Sequence, residues 1–204
     1  MFITFEGIDF CGKSTQVELL KNYLNQKNKT VEVIREPGGT RISELVRSLL
    51  LDKTHKNMCN ETEIFLFSAS RAQLVREKIR PYLLKGYYVI SDRFHDSSTA
   101  YQGFGRGLSI ELIMSIHSLA IGDTVPDITF FIDIPVEEAE SRKQKKLAHE
   151  LDRIEVSQKD FYEKVRNGYI FLSKEKRFRK IDGTLDVSTI HKQIVHEIEL
   201  LEKR

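Results

Sequence analysis

Residues 7–14 read Gly7-Ile8-Asp9-Phe10-Cys11-Gly12-Lys13-Ser14, which is the G-x-x-x-x-G-K-[ST] spacing of a phosphate-binding loop. The apolar, β-prone run Phe2-Ile3-Thr4-Phe5 precedes it, and the amphipathic pattern Thr15-Gln16-Val17-Glu18-Leu19-Leu20-Lys21 follows it. A strand, a glycine-rich turn and a helix in that order aim successive backbone N–H groups and a helix N-terminus at one anion. In such a loop Lys13 reaches the terminal phosphates of a nucleoside triphosphate, the Ser14 hydroxyl sits on Mg²⁺, and Thr15 closes the cradle. A nucleoside triphosphate and Mg²⁺ are therefore the expected ligands, and the alternative is a glycine-rich turn that binds nothing.

The rest of the chain repeats the same alternation. Strands are expected at Phe2–Glu6, Thr30–Ile34, Tyr87–Ser91, Ile128–Ile132 and Phe178–Ile181. Helices are expected at Ser14–Gln26, Arg41–Leu51, Asn60–Lys85, Ile110–Ala120, Val136–Lys146, Gln158–Lys174 and Val187–Lys203. This pattern predicts an α/β fold, a parallel sheet with helices on both faces, whose strand ends open into a common crevice. No repeat or Pro/Gly-rich linker divides the 204 residues, so one domain is expected over 1–204. A formal charge of +2, from 32 basic and 30 acidic side chains, argues against a nucleic-acid surface as the main function. Only two cysteines occur, which points to a reducing, cytoplasmic compartment and not a disulfide framework. Of these, Cys11 reads as a small loop filler or as a thiol activated by the loop dipoles. No apolar run is long enough to span a membrane, and no signal peptide is evident.

Four further clusters carry chemistry. Arg35-Glu36-Pro37-Gly38-Gly39-Thr40 follows the second strand, where Arg35 can fork onto a phosphate or close a surface ion pair beside a tight turn. Asp92 and Arg93 end the third strand, where the carboxylate would stand near a metal and the guanidinium near phosphate charge, or the two would form a strand-end ion pair. Phe67 and Arg71 lie four apart on a predicted helix and share a face, which suits stacking and hydrogen bonding of a flat base as well as ordinary core packing. The basic run Arg142-Lys143-Gln144-Lys145-Lys146, continued by Glu150-Leu151-Asp152-Arg153-Ile154-Glu155, is either a solvated helix face or a lid over about 142–155 that brings an arginine to developing charge.

Taken together, the segments Phe-Glu-Gly-Ile-Asp at 5–9, Arg-Glu-Pro-Gly-Gly at 35–39, Phe-Ser-Ala-Ser-Arg at 67–71 and Asp-Arg-Phe at 92–94 resemble thymidylate kinases. Ser-Ser-Thr-Ala-Tyr-Gln-Gly at 97–103 and Leu-Asp-Arg-Ile-Glu at 151–155 extend the resemblance, in order, to about residue 185. It implies a P-loop, three-layer α/β/α fold with a five-stranded parallel sheet, and transfer of the γ-phosphoryl group of ATP to dTMP with Mg²⁺. By motif, Phe67 would stack on thymine and Arg71 would bond its O4. Arg35 and Arg93, with Glu36 and Pro37 beside them, would hold the acceptor phosphate. Ser97, Ser98 and Gln102 would border the base, Tyr101 would stand where a ribose 2′-OH projects, and Asp9 would touch the 3′-OH or the metal network. One branch of the family carries an arginine inside the P-loop. Here that position is Phe10, which implies the bacterial branch, with Arg142 and Arg153 supplying lid charge. A homodimer through the helix from Asn60 and the helix near 110–120 is implied as well. Two alternatives stay open at this level: a kinase of another small acceptor, and a nucleotide-binding switch.

Overall fold

A computed structural model describes residues 1–144 and 151–203. In chain order the elements begin with β1 (Phe2–Glu6), α1 (Lys13–Gln26), β2 (Val31–Arg35) and α2 (Arg41–Leu51). A long helical stretch follows: α3 (Asn60–Leu74), a π-helical turn (Val75–Ile79) and α4 (Arg80–Leu84). Next come β3 (Tyr88–Asp92), α5 (His95–Ser98), a second π-helical segment (Thr99–Gly105) and α6 (Ile110–Ile121). The chain continues with β4 (Ile128–Asp133), α7 (Val136–Lys143), α8 (Lys159–Leu172), β5 (Phe178–Asp182) and α9 (Val187–Glu202).

All five strands are parallel, in the order β2-β3-β1-β4-β5. The central strands β1 and β4 are buried along their whole length, as a sheet covered on both faces requires. Ile3, Phe5, Phe130, Leu20, Leu24, Val165 and Ile194 belong to the main core. A second cluster centres on Phe2, Val89, Leu74 and Val75. The strand order brings three loops together. β1 lies beside β3, and β3 beside β2 with Arg35 opposite Asp92, so the P-loop, Arg35 and Asp92-Arg93 all lie at the carboxyl ends of three adjacent parallel strands.

The sequence expectations differ from the structure at few places. Strand ends shift by one residue, so that Arg35 and Asp92 are the last residues of β2 and β3 and do not lie just beyond them. The single helix expected over Asn60–Lys85 is widened at Val75–Ile79, where Arg80 N–H donates to Val75 O, five residues back. Pro81 follows immediately and has no N–H to continue an α ladder to Glu77. The helical segment over His95–Gly105 went unread, because two glycines and short polar side chains resemble a loop. Helix α7 ends at Lys143, and the residues 145–150 expected to continue the basic run, Lys145, Lys146 and Glu150 among them, lie outside the described residues.

Candidate active site

The P-loop owes its shape to two glycines. Gly7 has φ +141°, and a Cβ there would meet Ile132 O at 2.5 Å. Gly12 has φ +100° in open space, so the backbone conformation alone demands glycine. Phe10 also adopts a positive φ, +65°. Helix α1 starts at Lys13 with no side-chain cap, whereas α2 and α9 are capped by Thr40 and Asp186. The first N–H groups of α1 are thus left for an external anion. Cys11 is buried in the core, which makes it a filler of the loop.

Lys13 is 6% exposed, and its Nζ donates to Ile8 O at 2.9 Å and Gly7 O at 3.3 Å. Ser14 Oγ donates to Asp92 Oδ2 at 2.7 Å, pairing two hard oxygens at the mouth of the loop. Such a pair suits Mg²⁺, which takes one or two protein oxygens and fills its shell with phosphate and water. Groups of three or more His, Cys, Asp or Glu that could hold a metal are absent among the described residues.

Arg93 is the centre of the site. Its backbone has φ +72°, and its guanidinium donates to Gly7 O at 2.9 Å, Asp9 Oδ1 at 2.5 Å, Tyr101 OH at 3.0 Å and Tyr169 OH at 3.1 Å. A left-handed arginine persists only where neighbours fix it, and such strain concentrates at functional sites. Burial opposes ionisation of Asp9. The Arg93 and Lys13 charges and the Tyr162 and Tyr101 hydroxyls, each 3.0 Å from Oδ2, outweigh it and hold the carboxyl below its ordinary range. Burial pushes the Tyr101 hydroxyl far up, so it remains a donor.

A cleft of about 270 Å³ adjoins the P-loop, bordered by Arg35, Phe67, Arg71, Ser97, Tyr101 and Gln102 among others. Phe67 is half-buried on its wall. Arg71 is 1% exposed; its Nε donates to Glu36 Oε2 at 2.7 Å and one terminal nitrogen to Phe94 O and Ser98 Oγ, while Nη1 has no partner among the described residues. Arg35 is largely exposed and reaches Glu44 at 3.3 Å. Asp9, Ser14, Asp92, Arg93 and Glu155 border both this cleft and a second one lined by Lys13, Thr15 and Arg142. Two clefts therefore meet at one set of polar side chains, three carboxylates, the Ser14 hydroxyl and the Arg93 guanidinium.

The two arginines expected on a lid, Arg142 and Arg153, do not stand together in the structure. Arg142 lies over the P-loop, donating to Phe10 O at 3.3 Å, Cys11 O at 3.4 Å and Gly183 O at 3.1 Å. Arg153 borders neither cleft, because its donors go to Leu50 O at 2.7 Å and Glu63 Oε2 at 2.6 Å. In this structure α2 and α3 hold Arg153 apart from Arg142 and the P-loop. Sequence reasoning missed Arg47, Tyr162 and Tyr169, and read Asp152 and Ile154 only as part of the lid segment, not as lining of the cleft. Tyr162 and Tyr169 lie seven apart on α8 and so share a face, a signal that was available. Arg47, held by Pro37 O at 2.8 Å, had no distinguishing signal.

Glu6 stands behind this site, fully buried, accepting from Phe94 N at 2.7 Å, Ser97 Oγ at 2.6 Å and Tyr169 OH at 2.8 Å. Burial, aided by Asp96 and opposed by Arg93, raises its carboxyl from 4.5 to about 7. Between those values the folded chain keeps a proton that the unfolded chain has released, so stability falls as pH rises through that window and the contribution is full only below it. The midpoint of urea unfolding is expected to drop between about pH 5 and 7.5 and to drop less in Glu6→Gln. Identical slopes would count against Glu6 as the titrating group.

Known proteins match the chain over nearly its whole length. The thymidylate kinase family model matches residues 5–194. The thymidylate kinase of Kosmotoga olearia is 48% identical over 206 residues, covering 100% of this chain and 98% of that protein. That of Thermosipho melanesiensis is 50% identical over 202 residues, covering 98% of each. Among solved structures, the thymidylate kinase of Ehrlichia chaffeensis superposes with a TM-score of 0.77 at 35% identity, over 97% of this chain and 98% of that one.

Proposed function

The chain belongs to the thymidylate kinase family, whose members phosphorylate dTMP to dTDP with ATP, and from that premise we propose how its residues divide the work. ATP takes the space over residues 7–15, with its phosphates on the uncapped start of α1 and on Lys13. dTMP takes the adjoining cleft, with thymine on Phe67 near Arg71, Ser97, Ser98 and Gln102. The acceptor phosphate is drawn to Arg93 and Arg35, in the neighbourhood of Glu36 and Pro37. Tyr101, tied to Asp9, crowds the space beside the sugar, which supports deoxyribose over ribose. The observation that carries this reading is the sharing of Asp9, Ser14, Asp92 and Arg93 by the two clefts.

The reaction needs no general base. A phosphate monoester has a second pKa near 6, so the attacking oxygen is mostly ionised at pH 7. What the protein must do is bring two anions into line and screen their repulsion, and that is a task for fixed cations. Lys13, Arg93 and Arg142 supply them. Ser14 and Asp92 would hold Mg²⁺, which neutralises charge on the transferred group. Residues 1–204 act as one domain, with the segment around 142–155 as its lid. A homodimer is supported by exposed apolar side chains on α3 and α6, namely Phe65, Leu112, Met114 and Leu119. Two free cysteines suit a cytoplasmic location, and no helix among the described residues is long and apolar enough to cross a membrane.

A panel of nucleoside monophosphates with ATP tests the acceptor: dTMP should give the highest kcat/KM, and a preference for another monophosphate would refute the assignment. Base binding should rest on the Phe67/Arg71 wall. Phe67→Ala should weaken dTMP by about 1–3 kcal/mol through lost stacking while leaving ATP nearly untouched. Arg71→Ala should do the same and also cost about 3–5 kcal/mol of stability, because it strands the buried Glu36 carboxylate. Calorimetric titration of each ligand separates these, and equal weakening of both would make the two residues structural.

A further inference from the structure

Glu63, in the first turn of α3, is not part of either cleft, yet it is 1% exposed and fully engaged. Its Oε1 accepts from Gln102 Nε2 at 2.9 Å and Arg106 Nε at 3.2 Å. Its Oε2 accepts from Arg153 Nη2 at 2.6 Å and Arg106 Nη2 at 3.4 Å. An ionised carboxylate has about four lone-pair sites and no donor. Four N–H donors therefore use its whole capacity, and the end of the Gln102 amide that meets it can only be the NH₂.

This settles what Gln102 has left. Its carbonyl oxygen, Oε1, has no partner among the described residues, and Gln102 borders the cleft that also carries Phe67 and the unpartnered Nη1 of Arg71. Around Phe67 the lining of the cleft thus includes one residue with a spare donor, Arg71, and one with a spare acceptor, Gln102. Thymine and uracil present a carbonyl acceptor at C4 and a donor at N3; cytosine presents the reverse, an amino donor at C4 and an acceptor at N3.

We propose that Glu63 is a positioning residue for base selectivity: by holding the NH₂ of Gln102 it fixes the amide with its oxygen toward the base, so that the site takes a 4-oxo pyrimidine and rejects a 4-amino one. The inference rests on the dTMP reading above and adds to it the residue that sets the hydrogen-bond polarity of the pocket. Turned over, Gln102 would present a donor to N3–H, and two buried donors would face each other unpaired, at a cost comparable to a lost hydrogen bond.

Glu63→Gln tests this. The new amide keeps its oxygen toward Arg153, the shorter contact, and turns its NH₂ toward Gln102, which then rotates to accept from it. The expected result is a fall of about tenfold to a hundredfold in the kcat/KM ratio of dTMP to dCMP, with dUMP falling alongside dTMP because its edge is the same. Arg106→Met removes an ion pair from Glu63 without giving Gln102 a new partner, so it should lower stability and leave the ratio unchanged. A purely structural Glu63 would instead lower all three substrates by one common factor, and that result overturns the inference while dTMP activity of the wild type stands. A wild type that does not turn over dTMP fails the functional reading itself. Should Glu63→Gln not fold, a neutron structure of the wild type with dTMP decides: Gln102 Nε2 on Glu63 and Oε1 on thymine N3–H is expected, and the opposite orientation or no contact with the base refutes the proposal.

Discussion

Lys13→Ala should abolish most phosphoryl transfer, by about 10³-fold or more, in a chain that remains folded. The ammonium group is the one cation carried by the P-loop itself, and it lies within 3.3 Å of the Gly7 and Ile8 carbonyls. In that position it also helps hold Asp9 ionised. Although its Nζ bonds two loop carbonyls, the loop's turns are set by backbone features, the positive φ values of Gly7 and Gly12 and the Gln16 N–H to Gly12 O bond of 3.3 Å. Its loss should therefore remove charge from the transferred group more than it disturbs the cradle. Arginine should not restore the rate, because its planar fork is larger and shaped for bidentate contacts, where this loop encloses a point charge. Circular dichroism together with steady-state turnover reads both halves of the expectation. A folded Lys13→Ala chain with near-wild-type kcat would remove Lys13 from the mechanism.

The elements that sequence reasoning found are those with a strong period. β1 and β4 are continuous apolar runs because both faces of the sheet are covered, and the helices between them repeat at helical spacing. The segment His95–Gly105 failed because its helical turns are fixed from outside. His95, Asp96, Ser98, Thr99, Tyr101 and Gln102 are buried there against Arg177, His117, Asp9 and Glu63, partners far away in the chain. The same distinction governs the site. Gly7 to Thr15, Arg35 and Arg93 could be named because local motif and strand position suffice to aim them. Tyr162 carried only the seven-residue spacing from Tyr169 on α8 and Glu63 carried no local signal, since the contacts with Asp9 and Gln102 that give them relevance run across the fold.

The two arginines of the segment after β4, Arg142 and Arg153, stand apart in the structure, and they give the second large effect. Both belong to a basic segment after β4, and Phe10 leaves the P-loop without an arginine of its own, so late positive charge must come from elsewhere. Under the proposed function Arg142 is the candidate: it is the last-turn arginine of α7, braced by Glu138 at 2.7 Å, with its guanidinium 3.3–3.4 Å from the Phe10 and Cys11 carbonyls and lining the cleft beside Lys13. Arg153 instead anchors residues 151–155 to the end of α2, through its own N–H to Leu51 O at 3.1 Å and its side chain to Leu50 O. A group that acts mainly on transition-state charge lowers kcat more than ground-state binding when removed. Arg142→Ala should thus cut kcat by about 10²-fold or more, with modest changes in the dissociation constants of ATP and dTMP. Arg153→Ala should act differently, raising KM for dTMP as Asp152, Ile154 and Glu155 lose their seat beside the acceptor cleft, with a smaller effect on kcat. Hydrogen exchange offers an independent reading: amides of 151–157 should gain protection when both substrates are bound, and Arg153→Ala should erase that gain while Arg142→Ala leaves it. Equal losses of kcat in the two variants would return Arg153 to the phosphates and require the lid to carry it there. An unchanged kcat in Arg142→Ala would reduce the α7 arginine to a brace of the P-loop.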